Sequence, residues 1–186
     1  IYSHEFICVL GHSGCGKSTL LNLLAGYIKP DEGEILLDKG RSKVTGPSRN
    51  RGVVFQEHAL FPWYTVEQNI AFGPSVCHKP KEEQDALVDK YIKMIGLEEY
   101  RKNYPDQLSG GEQQRVAIAR AMAAKPGVIL ADEPTGNLDY QTGQEIMKLI
   151  CASRELYRQT IVMVTHDMDS ANYADRIVYM EDGALR

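Results

Sequence analysis

One short segment combines the residue types needed to hold a chain of phosphates. Gly11-His12-Ser13-Gly14-Cys15-Gly16-Lys17-Ser18-Thr19 reads as G-x-x-x-x-G-K-[ST]. Its glycines let the backbone curl so that several N–H groups point at one anion. A helix opening near Lys17 adds its positive end. Lys17 places a full charge between the β- and γ-phosphates, and the Ser18 hydroxyl suits Mg²⁺, a hard cation that takes oxygen ligands. Cys15 is either a small spacer or a thiol whose pKa the helix end lowers. The chemistry is that of a nucleoside triphosphate site, with Mg²⁺ as an expected cofactor.

A second group lies far along the chain. Val128-Ile129-Leu130-Ala131-Asp132-Glu133 is an apolar run ending in two carboxylates. Charge at the C-terminal end of a buried parallel strand sits where open α/β sheets bind their ligands. Asp132 is placed to hold Mg²⁺ through its water shell, and Glu133 to polarise an attacking water as general base.

These residues need a scaffold, and the hydrophobic pattern supplies one. Phe6–Leu10, Val128–Ala131 and Ile161–Thr165 are short continuous apolar runs, as strands buried on both faces should be. Glu34–Leu37 and Val53–Phe55 read as further strands, and Arg176–Met180 with the residues after Gly183 as a hairpin turning at Asp182-Gly183. Helices are expected over Ser18–Ala25, from Pro80 to about Gly96, over Gly111–Ala124 and over Gln141–Tyr157. Buried strands alternating with helices predict an α/β fold with a mostly parallel sheet. The polar, helix-rich stretch from about Ala71 reads as an inserted helical subdomain.

A third segment identifies the family. Leu108-Ser109-Gly110-Gly111-Glu112-Gln113-Gln114-Arg115 is a second glycine turn opening a second helix, another anion-binding helix start. It resembles the signature motif of ATP-binding cassette (ABC) ATPases, and the whole chain is similar to the nucleotide-binding domain of an ABC transporter. Gln56 matches the Q-loop glutamine, Asn137-Leu138-Asp139 the D-loop, and His166 the switch histidine. The resemblance implies one P-loop NTPase domain, with residues 1–70 and 126–186 as a RecA-like core and about 71–125 as the helical subdomain that carries the signature.

It also implies roles. Two such domains pack head to tail, so Ser109, Gly110, Gly111 and Gln113 would meet ATP held by the partner. Gln56 would touch Mg²⁺ and water and relay the site's state to transmembrane permease subunits. His166 would contact the γ-phosphate and support Glu133, and Asp139 would report across the dimer. Family members carry an aromatic residue that stacks on adenine before the first strand. Tyr2 lies too close to the loop to match it, and the C-terminus is short for the family, so both ends of the chain are read as truncated.

The Gln56–Trp63 run and the phosphate-loop text look like importers of the nitrate, sulfonate and taurine group. The run Asp132–Asp139 looks more like lipoprotein-release and macrolide-export ATPases. A small-anion importer, served by a solute-binding protein, is the first expectation and an exporter the alternative. Trp63 is either a core filler or part of a cleft that receives a membrane-subunit helix.

Composition narrows the remaining classes. A net charge of −4 over 186 residues gives nothing to attract nucleic acid over a whole face, which leaves only a small patch for it, and no long heptad run suggests the coiled-coil insertion of DNA-acting or ribosome-acting ABC ATPases. A small P-loop kinase would have no use for the Ser109–Gly111 turn. Cys8, Cys15, Cys77 and Cys151 have no metal-type spacing, so free thiols are expected. No apolar run approaches the ~20 residues that span a bilayer, and no signal peptide is evident. The expected location is the cytoplasmic face of the membrane, held there by a partner.

Overall fold

The computed structural model describes residues 1–37 and 42–186. Its core is a six-stranded sheet. Strands β1 (Phe6–Leu10), β4 (Arg51–Val54), β5 (Val128–Asp132), β6 (Thr160–Thr165), β7 (Arg176–Glu181) and β8 (Ala184–Leu185) stand in the order β4-β5-β6-β1-β7-β8. The first five are parallel and only β8 is antiparallel, returning from β7 through Asp182-Gly183 as expected.

Burial on both faces accounts for the continuous apolar runs. Phe6, Cys8 and Leu10 of β1 join Ile129, Ala131, Ile161 and Met163 in one hydrophobic cluster. Ile7 and Val9 join Leu130, Val162 and Val164 in a second cluster on the opposite face. Successive side chains of a strand point to opposite faces, so every residue of such a strand must be apolar. Each fully buried side chain of this size contributes roughly 1.5–3 kcal/mol relative to exposure.

The register brings the strand ends level. Leu10 lies opposite Thr165 and Asp132 opposite Val164. The N–H of Gly11 donates to Thr165 at 3.2 Å and that of Glu133 to Val164 at 3.0 Å, so the chain leaves β1 and β5 at one edge. Helix α1 (Lys17–Ala25) packs on β5 and β6, and the short α6 (Met168–Ala171) on β1 and β6. Helix α5 (Tyr140–Tyr157) follows β5.

Three further helices pack mainly on one another: α2 (Val66–Val76), α3 (Lys81–Met94) and α4 (Gly110–Ala123). Here the sequence expectation needs correction. Helical structure begins at Val66 and not at Ala71, because Thr65 forms a capping box with Gln68. Phe72-Gly73-Pro74 looks like a breaker, yet Pro74 lies inside the helix, near its end, where few helical bonds are lost. The strand expected over Glu34–Leu37 is only β2 (Leu36–Leu37), paired antiparallel with β3 (Ser42–Lys43) in a separate two-stranded sheet. The strand expected at Val53–Phe55 runs over Arg51–Val54, leaving Phe55 and Gln56 in the loop.

Trp63 is not a core filler. It is 67% exposed and tilts against Phe61 at 5.8 Å between ring centroids. Phe61 in turn contacts Phe72 and lies under the Arg120 guanidinium, so an aromatic cluster with an open side follows the Q-loop.

Candidate active site

The segment Gly11–Gly16 wraps from the end of β1 to the start of α1. Gly16 sits at φ 106°, a conformation that a side chain would strain. It caps α1 without any side-chain hydrogen bond. Among the described residues, the backbone N–H groups of Gly14, Gly16, Lys17 and Ser18 donate to no acceptor in the chain. They form a curl of free donors at a helix start, which fits a multiply charged phosphate. Cys15 is 3% exposed and packs with Ile7, Leu21 and Met180; it fills space under the loop.

Lys17 is buried, 5% exposed. Its Nζ donates to the carbonyls of Gly11 at 2.8 Å and His12 at 3.0 Å and lies 3.6 Å from Glu133 Oε1. A buried ammonium needs such compensation, and the same head is in place to meet anionic oxygens cradled by the loop. Ser18 Oγ donates to Asp132 Oδ1 at 3.3 Å. Burial pushes the Asp132 carboxyl above its usual range, with neighbouring Glu133 adding to the rise, while Ser18 and Lys17 oppose it. Two oxygen donors fit Mg²⁺ but are too few to hold it alone, since its near-octahedral shell would be completed by phosphate oxygens and water.

Glu133 is a non-glycine residue at φ 43°, a left-handed conformation that costs about 1–3 kcal/mol. Its Oε2 lies 2.6 Å from His166 Nδ1, so the carboxylate is held between Lys17 and His166. A Cβ placed on Gly136 would lie 3.3 Å from both Gln56 Nε2 and Glu133 Oε2, which puts Gln56 at the same place. Gln56, Lys17, Ser18, Asp132, Glu133 and His166, spread over more than a hundred positions, thus converge at one sheet edge.

The Ser109–Gly111 segment does not join them. Ser109 caps α4: its Oγ accepts from the Glu112 N–H and donates to Glu112 Oε2 at 2.8 Å. Gln113 Nε2 donates to Leu108 at 3.1 Å. A side chain on Gly111 would collide with Thr142 on α5, so close approach requires glycine there. No hydrogen bond or ion pair among the described residues links this segment to the phosphate loop. Asp139 likewise caps α5, accepting from the Thr142 N–H and hydroxyl, and these bonds hold its carboxyl below the usual range. A cleft of about 480 Å³ runs from Asp139 to His166 past Thr135, Gly136 and Ser170.

Sequence reasoning gave no role to Gln114. It is 1% exposed and bonds to three residues, Phe55 and His58 in the loop after β4 and Pro134 after Glu133. Its buried polar side chain inside an otherwise apolar helix face was the available signal.

The family model for ABC transporters matches residues 1–136. The nitrate import ATP-binding protein NrtD of Synechococcus elongatus is 46% identical over 182 residues, covering 96% of this chain and 66% of that protein. The taurine import ATP-binding protein TauB of Roseobacter denitrificans is 45% identical over 167 residues, covering 90% of this chain and 62% of that protein. The chain thus spans about two thirds of the length of these relatives. Among solved structures, the dimeric post-hydrolysis state of the ATP-binding cassette MJ0796 bound to ADP and Pi superposes with a TM-score of 0.88 at 39% identity, covering 100% of this chain and 85% of that one. A phosphate loop, a strained acidic strand end and a separate Ser-Gly-Gly helix start are therefore the parts of an ATP-binding cassette, and the chain belongs to the ABC transporter family of P-loop ATPases.

Proposed function

We propose that this chain binds and hydrolyses ATP as the motor subunit of an ABC importer for a small anionic solute. The observation that carries the reading is the clamp on Glu133 between Lys17 and His166 at the mouth of the phosphate loop. In this reading, loop N–H groups and Lys17 hold the β- and γ-phosphates, and Ser18 and Asp132 hold Mg²⁺. Gln56 stands beside the metal and the attacking water. Glu133 accepts a proton from that water, and His166 orients the carboxylate and meets the γ-phosphate. Bound Mg²⁺ supplies neutralisation of phosphate charge.

Ser109, Gly110, Gly111 and Gln113 have no part in their own chain's phosphate site, which favours a head-to-tail dimer in which they complete the partner's. The dimeric cassettes among the similar structures support this arrangement, with Asp139 at the seam. Residues 1–70 and 126–186 would form the nucleotide core and about 71–125 the helical subdomain; the start of α2 argues for a first boundary near Val66.

No helix among the described residues is long and apolar enough to cross a membrane, so the motor would be a peripheral subunit of a permease on the cytoplasmic face. The open aromatic cluster at Phe61, Trp63 and Phe72 is a suitable seat for a permease helix. The names of the nitrate, taurine and bicarbonate relatives favour import of a small anion, delivered by a solute-binding protein.

Reconstitution with the permease tests this reading. ATP hydrolysis should rise when nitrate, taurine or bicarbonate with its binding protein is supplied on the side opposite the ATPase, and solute should move towards the ATPase side. Movement away from that side, or hydrolysis indifferent to every anion, would overturn the importer assignment.

A further inference from the structure

We propose that Gln114 is a positioning residue for hydrolysis. With His58, it locks the loop after β4, the Glu133 turn and the first turn of α4 into one unit. The inference rests on the ATP-hydrolysis reading above.

Gln114 lies on the buried side of α4. Its Nε2 donates to the Pro134 carbonyl at 2.9 Å and to the Phe55 carbonyl at 3.4 Å. Carbonyls only accept, so these partners assign the nitrogen, and the remaining atom is Oε1. That oxygen lies 2.7 Å from His58 Nδ1. An amide oxygen cannot donate, so the proton of this bond resides on Nδ1. His58 Nε2 then faces the start of α4, where a Cβ on Gly110 would lie 3.8 Å away.

The bonded partners lie on two segments, the loop after β4 and the Glu133 turn, and His58 reaches a third, the start of α4. Pro134 follows Glu133, Phe55 precedes Gln56, and His58 abuts Gly110. His58 and Ala59 both hold positive φ, 36° and 48°, and such backbone persists only where the surroundings over-determine it. Arg120, two turns further along α4, adds a bond to the Ala59 carbonyl at 2.8 Å. A shift of the loop that carries Gln56 must therefore move the Glu133 turn or the start of α4, or break the Gln114 bonds.

The test uses the ATPase assembled with its permease and compares Gln114→Met, His58→Leu, their double variant and His58→Asn. Gln114→Met should lower kcat on the order of ten- to a hundredfold, the scale of a small misplacement of reacting groups. The KM for ATP and the nucleotide Kd should stay within about twofold, since the phosphate loop is untouched. His58→Leu should match it, and the double variant should be no worse than either, as members of one unit behave. His58→Asn, whose amide nitrogen can donate near the Nδ1 position, should recover most of the rate.

An unchanged kcat, additive losses, or no recovery by Asn would overturn the proposal. Should Gln114→Met fail to fold, His58→Leu against His58→Asn decides alone, because His58 is only half-buried. A parent protein without ATP hydrolysis would instead sink the motor reading itself.

Discussion

At the scale of single residues, the proposed function rests on Lys17 and Glu133. Lys17 is a buried cation whose partners are two loop carbonyls and one carboxylate. Its truncation to Ala should leave the fold intact and weaken nucleotide binding by about 2 kcal/mol or more, the cost of removing a buried charged partner, as titration with a fluorescent nucleotide would register. Glu133→Gln keeps the shape and removes the base. Hydrolysis should fall about 10²–10⁴-fold while nucleotide affinity is kept, and single-turnover kinetics separates the two. Both residues were legible in the sequence because their neighbours are so particular. The clamp by His166 was not derivable from spacing, since a separation of 33 positions says nothing of a 2.6 Å contact; it came from family resemblance. Gln114 stayed unread, although it falls in line at helical spacing with the apolar Ala117, Ile118, Ala121 and Met122 of α4.

At the scale of elements, the buried strands were the most readable feature, because burial on both faces forces unbroken apolar runs. Helix α2 was hidden by its Gly73-Pro74 pair, and its role in holding the Q-loop was hidden with it. Asn69, fully buried on α2, accepts from the Phe61 N–H and donates to the carbonyls of Phe61, Tyr64 and Thr65. Asn69→Ala should cost about 1–3 kcal/mol by leaving those groups unpaired, seen as a lower urea midpoint.

A second element-scale prediction concerns acid. Asp175 accepts from the Phe6 N–H at 2.9 Å and pairs with Arg154; these bonds hold its carboxyl below the usual range. A lowered folded-state pKa means stability present above the unfolded value, near pH 3.9, and lost as pH falls through the folded value. Thermal midpoints of Asp175→Asn and the parent should therefore differ at pH 7 and converge as pH drops below about 4. A gap that persists there would mean that the charge of Asp175 does not support the β1–β7–α5 junction.

At the scale of the whole molecule, the strand ends gather the phosphate-loop residues with Asp132, Glu133 and His166, and α4 presents Ser109–Gly111 elsewhere; in the proposed function these are the two halves of a catalytic site. Parallel order and strand register explain the first half: the loops after β1, β5 and β6 leave at one level. The capping box of Ser109 fixes the start of α4 without any contact to the phosphate loop. The proposed division into a core and a helical part would start its helical part at α2, which Thr65 caps, a few residues before the Ala71 expected from the sequence. The most direct measurement is the mass in solution, with ATP and Mg²⁺, of Glu133→Gln and of the Glu133→Gln, Ser109→Arg double variant, alongside nucleotide affinity. A head-to-tail composite site predicts a dimer for the first, a monomer for the second, and ATP affinities for the separated chains within about twofold, since Ser109 touches none of its own phosphate loop. A double variant that remains dimeric, or that loses ATP binding outright, would contradict it.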